Sequence, residues 1–329
     1  MPRFTKQKLV LTVASVALLV YCFRNWEPLK RVDSNIRNDK YKTVSRIKKN
    51  TENKSIELDM EAFKQSRTRT VFYNRVGKCG SRALMALVNH LSGRNNFWVQ
   101  ESLVTAVEHP GVYESLQEMM TINNLVPPSF YNRHIHYLDF KRYHLKKPIY
   151  INMIRDPIER FASHYNYLKY GDLQGEVKTG SQSDLEDIND CVDKSVGVCD
   201  PNSEMMFYIG LYFCGVHDPP CLQPDEHKRV EIATTHIDED YLFVGILEEF
   251  ETTLLLLEKL LPGYFTGVMK VRAFQNFQQR KNETATRKQD FLTDKSREKL
   301  RTINMVDEYK VYFHVKEKFN KLKQKFGIS

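Results

Sequence analysis

The chain has 329 residues, 49 Lys and Arg against 41 Asp and Glu for a net charge of +8, and a 41% hydrophobic content. That length holds one large or two small domains, and the apolar share supports a sizeable core rather than a chain too polar to fold. Surplus base of this size suits a nucleic acid, a membrane surface or a polyanionic sugar, and composition alone does not choose among them.

Residues 1–8 form a short basic tail with Arg3, Lys6 and Lys8. Residues 9–23 are apolar apart from Thr12, Ser15 and Tyr21. That is short beside the about 20 residues of a typical span and near the length of a signal-peptide core. No small-residue cleavage site precedes Arg24, and the charges on the two flanks nearly balance. We read a signal anchor for a thin early-secretory or Golgi bilayer, with the C-terminal bulk lumenal; a cleaved signal peptide is the alternative. Residues 24–68 are polar and charged without an apolar period, the composition of a stem, which leaves 69–329 as the folded domain. Asn53 in the stem and Asn282 downstream each open an N-glycosylation triplet.

Within that domain, residues 71–73 read as a buried strand, 76–80 as a tight turn and 81–91 as a helix. A strand at 97–101 and a helix at 112–120 follow, and Pro127-Pro128 then breaks the chain. Residues 131–137 read as a strand in which His134 and His136 face the same side. An apolar strand from Pro148 leads through Arg155-Asp156-Pro157 into a helix carrying Ser163, with Asp156 suited to its N-cap and Pro157 to its first turn. Residues 171–199 are a polar loop region, 207–213 aromatic core, 241–246 a buried strand, and 248–261 a helix with Leu254, Leu257 and Leu261 on one side. Basic residues cluster at Arg280, Lys281, Arg287 and Lys288. Residues 293–324 are helical, with Leu300, Ile303, Val306, Tyr309 and Phe313 as the stripe. Strands alternating with helices predict an α/β fold with a mainly parallel sheet flanked by helices.

Of six cysteines, Cys22 falls in the anchor and Cys79 in the first turn. The remaining four allow three pairings. The local ones, Cys191–Cys199 and Cys214–Cys221, are favoured, each closing a short loop in an oxidising compartment. A zinc site using His217 is the alternative.

The stretch TVFYNRVGKCGSR carries the chemistry. A strand turning over glycines into a helix start offers unpaired N–H groups and the positive end of a helix dipole, an anion site. Gly77 and Gly80 permit close approach, and Lys78 adds charge. It departs from GxxxxGK[ST] because Cys79 stands where a magnesium-holding Ser or Thr belongs, which argues against a kinase or NTPase. A sulfuryl group carries less charge and can be moved with Lys and backbone amides alone. An ordinary strand–turn–helix with a surface lysine is the plain alternative.

Taken with IRDPIERFASHY, this stretch resembles the sulfotransferases that use 3′-phosphoadenosine 5′-phosphosulfate (PAPS). The resemblance implies a P-loop-like fold in which Lys78, Cys79, Gly80, Ser81 and Arg82 hold the 5′-phosphosulfate, and Arg155 and Ser163 the 3′-phosphate. YNRVGKCGSR, RHIHYLDF, PIYINMIRDPIER and VKEKFNKLKQKFG narrow it. Over residues 69–329 the chain looks like the uronyl 2-O-sulfotransferases of dermatan and chondroitin sulfate. The related heparan sulfate 2-O-sulfotransferases have Pro, Thr and Ala where this chain has Gly77, Cys79 and Gly80. The resemblance implies a single-pass type II Golgi enzyme acting on a glycosaminoglycan polymer, without metal or nucleic acid, and a homo-trimer. It places the catalytic base at His134, with Lys78 stabilising the departing phosphate oxygen. Arg75, Arg133 and His136 are then expected to meet the sugar; the plain reading of Arg75 is an ion pair with a nearby carboxylate. Heparan sulfate as acceptor and a catalytically silent glycan-binding protein of the same fold are the rival readings.

Overall fold

The structure, a computed structural model, describes residues 67–102, 104, 107–171, 185–215, 219–222, 226–273 and 289–328. The anchor, the stem before residue 67, Asn53, Asn282, His217 and the basic cluster at 280–288 lie outside the described residues. No described helix is long and apolar enough to cross a membrane.

Five parallel strands make the sheet: β1 (Val71–Asn74), β2 (Trp98–Glu101), β3 (Ser129–Arg133), β4 (Ile149–Ile154) and β5 (Tyr241–Ile246), in the order β2-β3-β1-β4-β5. Every residue of β1, β3 and β4 is buried. That is the signature of strands covered on both faces, and it explains why β1 and β4 read as near-continuous apolar runs rather than alternating ones. Edge strand β2 is mostly exposed, and its Trp98 stands out to solvent.

Helices α1 (Ser81–Asn95), α2 (Val112–Asn123) and α3 (Pro157–Tyr170) follow β1, β2 and β4. Asp156 caps α3, accepting hydrogen bonds from the N–H groups of Ile158 (3.0 Å) and Glu159 (3.2 Å), with Pro157 in the first turn. Downstream, α4 (Ile188–Lys194) and α5 (Tyr208–Cys214) precede a short α6 (Pro219–Leu222) and α7 (Glu226–Glu239). The domain ends with α8 (Phe250–Leu260), α9 (Pro262–Phe265), α10 (Val268–Ala273), α11 (Asp294–Lys299) and the long α12 (Val306–Phe326). The favoured disulfides, Cys191–Cys199 and Cys214–Cys221, are both formed.

Three expectations are corrected. The strand expected over 131–137 ends at Arg133, because the chain turns out of the ladder: His136 N–H donates to Glu108 O (2.8 Å) and Tyr137 N–H to Tyr212 O (2.9 Å). His134 and His136 therefore do not lie in a strand. The polar stretch 171–199 contains α4, which Asp187 caps through Asn189 N–H. The C-terminal helix is interrupted by a π-helical turn over Leu300–Asn304, after which Met305 leaves helical geometry. Leu300 and Tyr309 are buried as expected. Wider turns shift the helical phase, however, so Ile303, Val306 and Phe313 are exposed while Glu308, Tyr312, Val315 and Phe319 face inward.

Glu308 is the unexpected member of that inner face. Fully buried, its carboxylate accepts hydrogen bonds from the N–H groups of Ile209 (2.7 Å) and Gly210 (2.9 Å), seating the start of α5. Burial pushes its pKa from 4.5 up to about 7, against the pull of Arg160 and the two N–H groups. A folded-state pKa above the unfolded one means a contribution fully present below the unfolded value and lost as pH rises through about 7. Thermal unfolding of the wild type should therefore lose stability between about pH 5 and pH 8 more steeply than Glu308→Gln, which keeps an acceptor but cannot titrate. Parallel pH profiles would contradict this.

Candidate active site

At the carboxyl end of β1 the chain makes the glycine turn. Val76 and Cys79 point inward and are fully buried. Lys78 (φ 63°) and Gly80 (φ 78°) both take the left-handed conformation, which disfavours a side chain at 80. A Cβ there would also lie 2.5 Å from Leu247 Cδ1, so that side chain would have to shift. Helix α1 then begins with no capping side chain and no acidic residue in its first turn. A 15-residue helix that opens without a side-chain cap, beside a lysine, fits an external anion.

The second stretch comes to the same place. Lys78 Nζ lies 4.2 Å from the centroid of the Tyr167 ring. Tyr167 is one helical turn beyond Ser163 on α3, so the two share a face. Arg155 leaves the carboxyl end of β4, mostly shielded and 3.7 Å from Glu159. Its charge, with that of Arg160, bears on the Cys79 thiol, although burial dominates and pushes that thiol up to about 12. Cys79 stays a neutral thiol and offers a ligand only its backbone.

His134 follows β3. Register pairs Asn74 with Arg133, so the next residues, Arg75 and His134, emerge side by side. His134 Nδ1 lies 2.8 Å from the Arg75 carbonyl oxygen. A carbonyl only accepts, so Nδ1 carries the proton and Nε2 is left as the bare, basic nitrogen. Burial first, then the charges of Arg75 and Arg82, lower its pKa from 6.5 to about 4. The Arg82 influence ties the first turn of α1 to this histidine.

The expected sugar contacts fare differently. Arg75 pairs with the exposed Glu101 at 2.7 Å, as the plain reading had it. Arg133 does not face a ligand: only 4% exposed, it is held by Glu118 at 2.5 Å and donates to Val107 O at 3.2 Å. His136 is likewise buried, packed on Tyr212 and His109, and its pKa is lowered to about 3 by burial and by His109. It belongs to the wall behind the site rather than to its surface. Among the described residues no group of three or more His, Cys, Asp or Glu is placed to hold a metal ion.

Sequence reading missed Tyr167 and Glu118, though each left a signal. Tyr167 is four residues from Ser163, and Glu118 sits on the apolar face of α2 among Ser115, Met119 and Ile122. A carboxylate there announces a buried cation. The other oxygen of Glu118 accepts from the Tyr131 hydroxyl at 2.5 Å. In a Tyr131→Phe background, Glu118→Gln should therefore destabilise by about 3 kcal/mol by stranding Arg133, whereas Glu118→Leu with Arg133→Met should recover most of that loss. Urea unfolding of the three proteins reads it, and a double variant as unstable as the single would contradict the pairing.

The family profile described as "Sulfotransferase family" matches residues 61–314. The chain is 40% identical over 271 residues to uronyl 2-sulfotransferase of Homo sapiens, covering 78% of this chain and 64% of that protein. It is 34% identical over 205 residues to heparan sulfate 2-O-sulfotransferase 1 of Mus musculus, covering 60% of this chain and 56% of that one. The chain thus spans somewhat under two thirds of the length of these relatives. A solved mouse sulfotransferase, SULT7A1 complexed with PAP, aligns at a TM-score of 0.39 and 11% identity over 78% of this chain and 94% of that one. With its profile matched across the whole sheet, the lysine turn and the Arg155 stretch, the chain belongs to the sulfotransferase family.

Proposed function

We propose that this protein transfers sulfate from PAPS to the 2-hydroxyl of a uronic acid in dermatan or chondroitin sulfate. The observation that carries the proposal is geometric: the β1–β3 register sets His134 against the Arg75 carbonyl at 2.8 Å, three residues before Lys78, whose ammonium lies 4.2 Å from the Tyr167 ring on the face of α3 that carries Ser163. The donor, when bound, supplies a sulfuryl group on a phosphate leaving group. The start of α1, which has no capping side chain, Lys78 and the amides of Cys79, Gly80 and Ser81 suit its 5′ end, and Arg155 and Ser163 its 3′-phosphate. His134 Nε2 takes the proton of the sugar hydroxyl as that oxygen attacks sulfur in line, and Lys78 stabilises the charge gathering on the departing oxygen. Arg75, at the rim with Glu101, is the residue placed to exchange its carboxylate for an acidic sugar.

The setting is part of the proposal. Residues 9–23 anchor the protein in the Golgi membrane with the domain lumenal, assembled as a homo-trimer. Two disulfides suit that oxidising compartment, and a net charge of +8 suits a polyanionic polymer. A depressed histidine pKa keeps the base neutral at the mildly acidic pH where an ordinary histidine is largely protonated.

The deciding experiment incubates the full chain with labelled PAPS and, separately, desulfated dermatan, chondroitin and heparan, followed by disaccharide analysis. Label on the 2-oxygen of dermatan or chondroitin uronate is expected. Label on heparan alone would make it a heparan enzyme, and PAP binding without transfer a silent glycan-binding protein. His134→Ala should lower kcat by about 10²–10⁴-fold with nucleotide affinity nearly unchanged. In the wild type, kcat/KM should stay level as pH falls and drop only near about 4, where His134 takes its proton; a fall centred near pH 6.5 would contradict the assignment.

A further inference from the structure

Gly77 opens the lysine turn, and the reason it is glycine is another side chain. A Cβ at 77 would lie 2.7 Å from the Tyr208 hydroxyl oxygen, yet 3.5 Å and 3.6 Å from Cζ and Cε1 of the same ring. Only the hydroxyl excludes a side chain there; the ring would make ordinary contact.

That hydroxyl is pinned. It donates to the Glu108 carboxylate, whose two oxygens lie 3.0 Å and 2.9 Å away, and lies 3.5 Å from the Tyr212 hydroxyl. Burial holds it well above the ordinary tyrosine range, so it remains a donor. The Tyr208 ring packs against the fully buried Arg160 guanidinium of α3 at 4.3 Å, and Arg160 in turn donates to Met205 O at 2.8 Å. Glu108 has a second tie: its backbone carbonyl accepts from His136 N–H at 2.8 Å, two residues after His134.

We infer that Tyr208 is a positioning residue for the lysine turn, and that Glu108 links it to the turn carrying His134, so the donor side and the base side of the site are seated by one tyrosine. Two hydrogen bonds and one close approach connect Gly77 to Tyr208, Tyr208 to Glu108, and Glu108 to the histidine turn. The functional part of this inference rests on the reading of the lysine turn as a donor phosphate site; the contact itself does not.

The test is a double-mutant cycle on the full chain with Gly77→Ala, Tyr208→Phe and the pair, each read by PAP affinity in calorimetry and by thermal unfolding. Gly77→Ala should weaken PAP by about tenfold or more in the wild type, because the added methyl must displace the pinned hydroxyl, and by less than about threefold in the Tyr208→Phe background. Glu108→Ala, which releases the hydroxyl, should likewise soften the cost of Gly77→Ala. An equal cost in every background, or no cost in the wild type, overturns the inference. Should the wild type bind no PAP, the donor reading fails, and the cycle in thermal unfolding still decides the contact: coupling there supports Tyr208 as the stop that seats the turn, and additivity overturns it.

Discussion

The parallel pairing of β1 between β3 and β4 is the constraint on which everything else rests. Parallel strands deliver their carboxyl ends to one edge of the sheet, and that edge is where α/β proteins bind ligands. Here β1 delivers the lysine turn, β3 delivers His134 and β4 delivers Arg155. Three segments far apart in sequence meet because Asn74 is in register with Arg133, and Tyr73 with Ile151. Beneath them a buried amide network fixes the level of the strand ends. Asn152 donates to both the carbonyl and the side-chain oxygen of Asn74, which also receives the Tyr241 hydroxyl.

Electrostatics then separates two kinds of charge. Interior charges are matched: Arg133 by Glu118, and Arg160 by a carbonyl and by the nearby Glu308 carboxylate. Such groups hold elements in place, at a desolvation cost that their partners offset. Around the lysine turn the arrangement differs. No acidic residue opens α1, and Arg75 and Arg82 together with burial drive His134 toward its neutral form. A site that favours anions also favours a neutral base, and a sulfate transfer to a sugar hydroxyl asks for both.

Much of this was legible in the chain. The glycine turn after an apolar strand, the Asp156-Pro157 helix start and the local cysteine pairs are local patterns, and local chemistry fixes them. β5 was read to the residue, because a six-residue apolar run admits little else. What failed depended on tertiary contacts. The strand through His134 ends early because Glu108 and Tyr212 supply competing acceptors from other segments. Arg133 looked like a substrate contact until Glu118, 15 residues earlier, claimed it. The C-terminal stripe held at Leu300 and Tyr309 and failed at Ile303, Val306 and Phe313, where a π-helical turn, invisible to periodicity, shifts the phase. In the site, type and neighbourhood of the residues were readable, whereas which arginine faces inward was not.

We propose that the Arg75 carbonyl fixes the proton of His134 on Nδ1 and leaves Nε2 bare and neutral as the base. Nitrogen-15 spectroscopy of the imidazole side chains, with His134→Gln to assign the signal, measures this without any substrate. The expected result is a protonated Nδ1 and an unprotonated Nε2 whose shifts hold steady from pH 8 to about pH 5 and change only near about 4. A proton on Nε2, or a titration centred near pH 6.5, would contradict it.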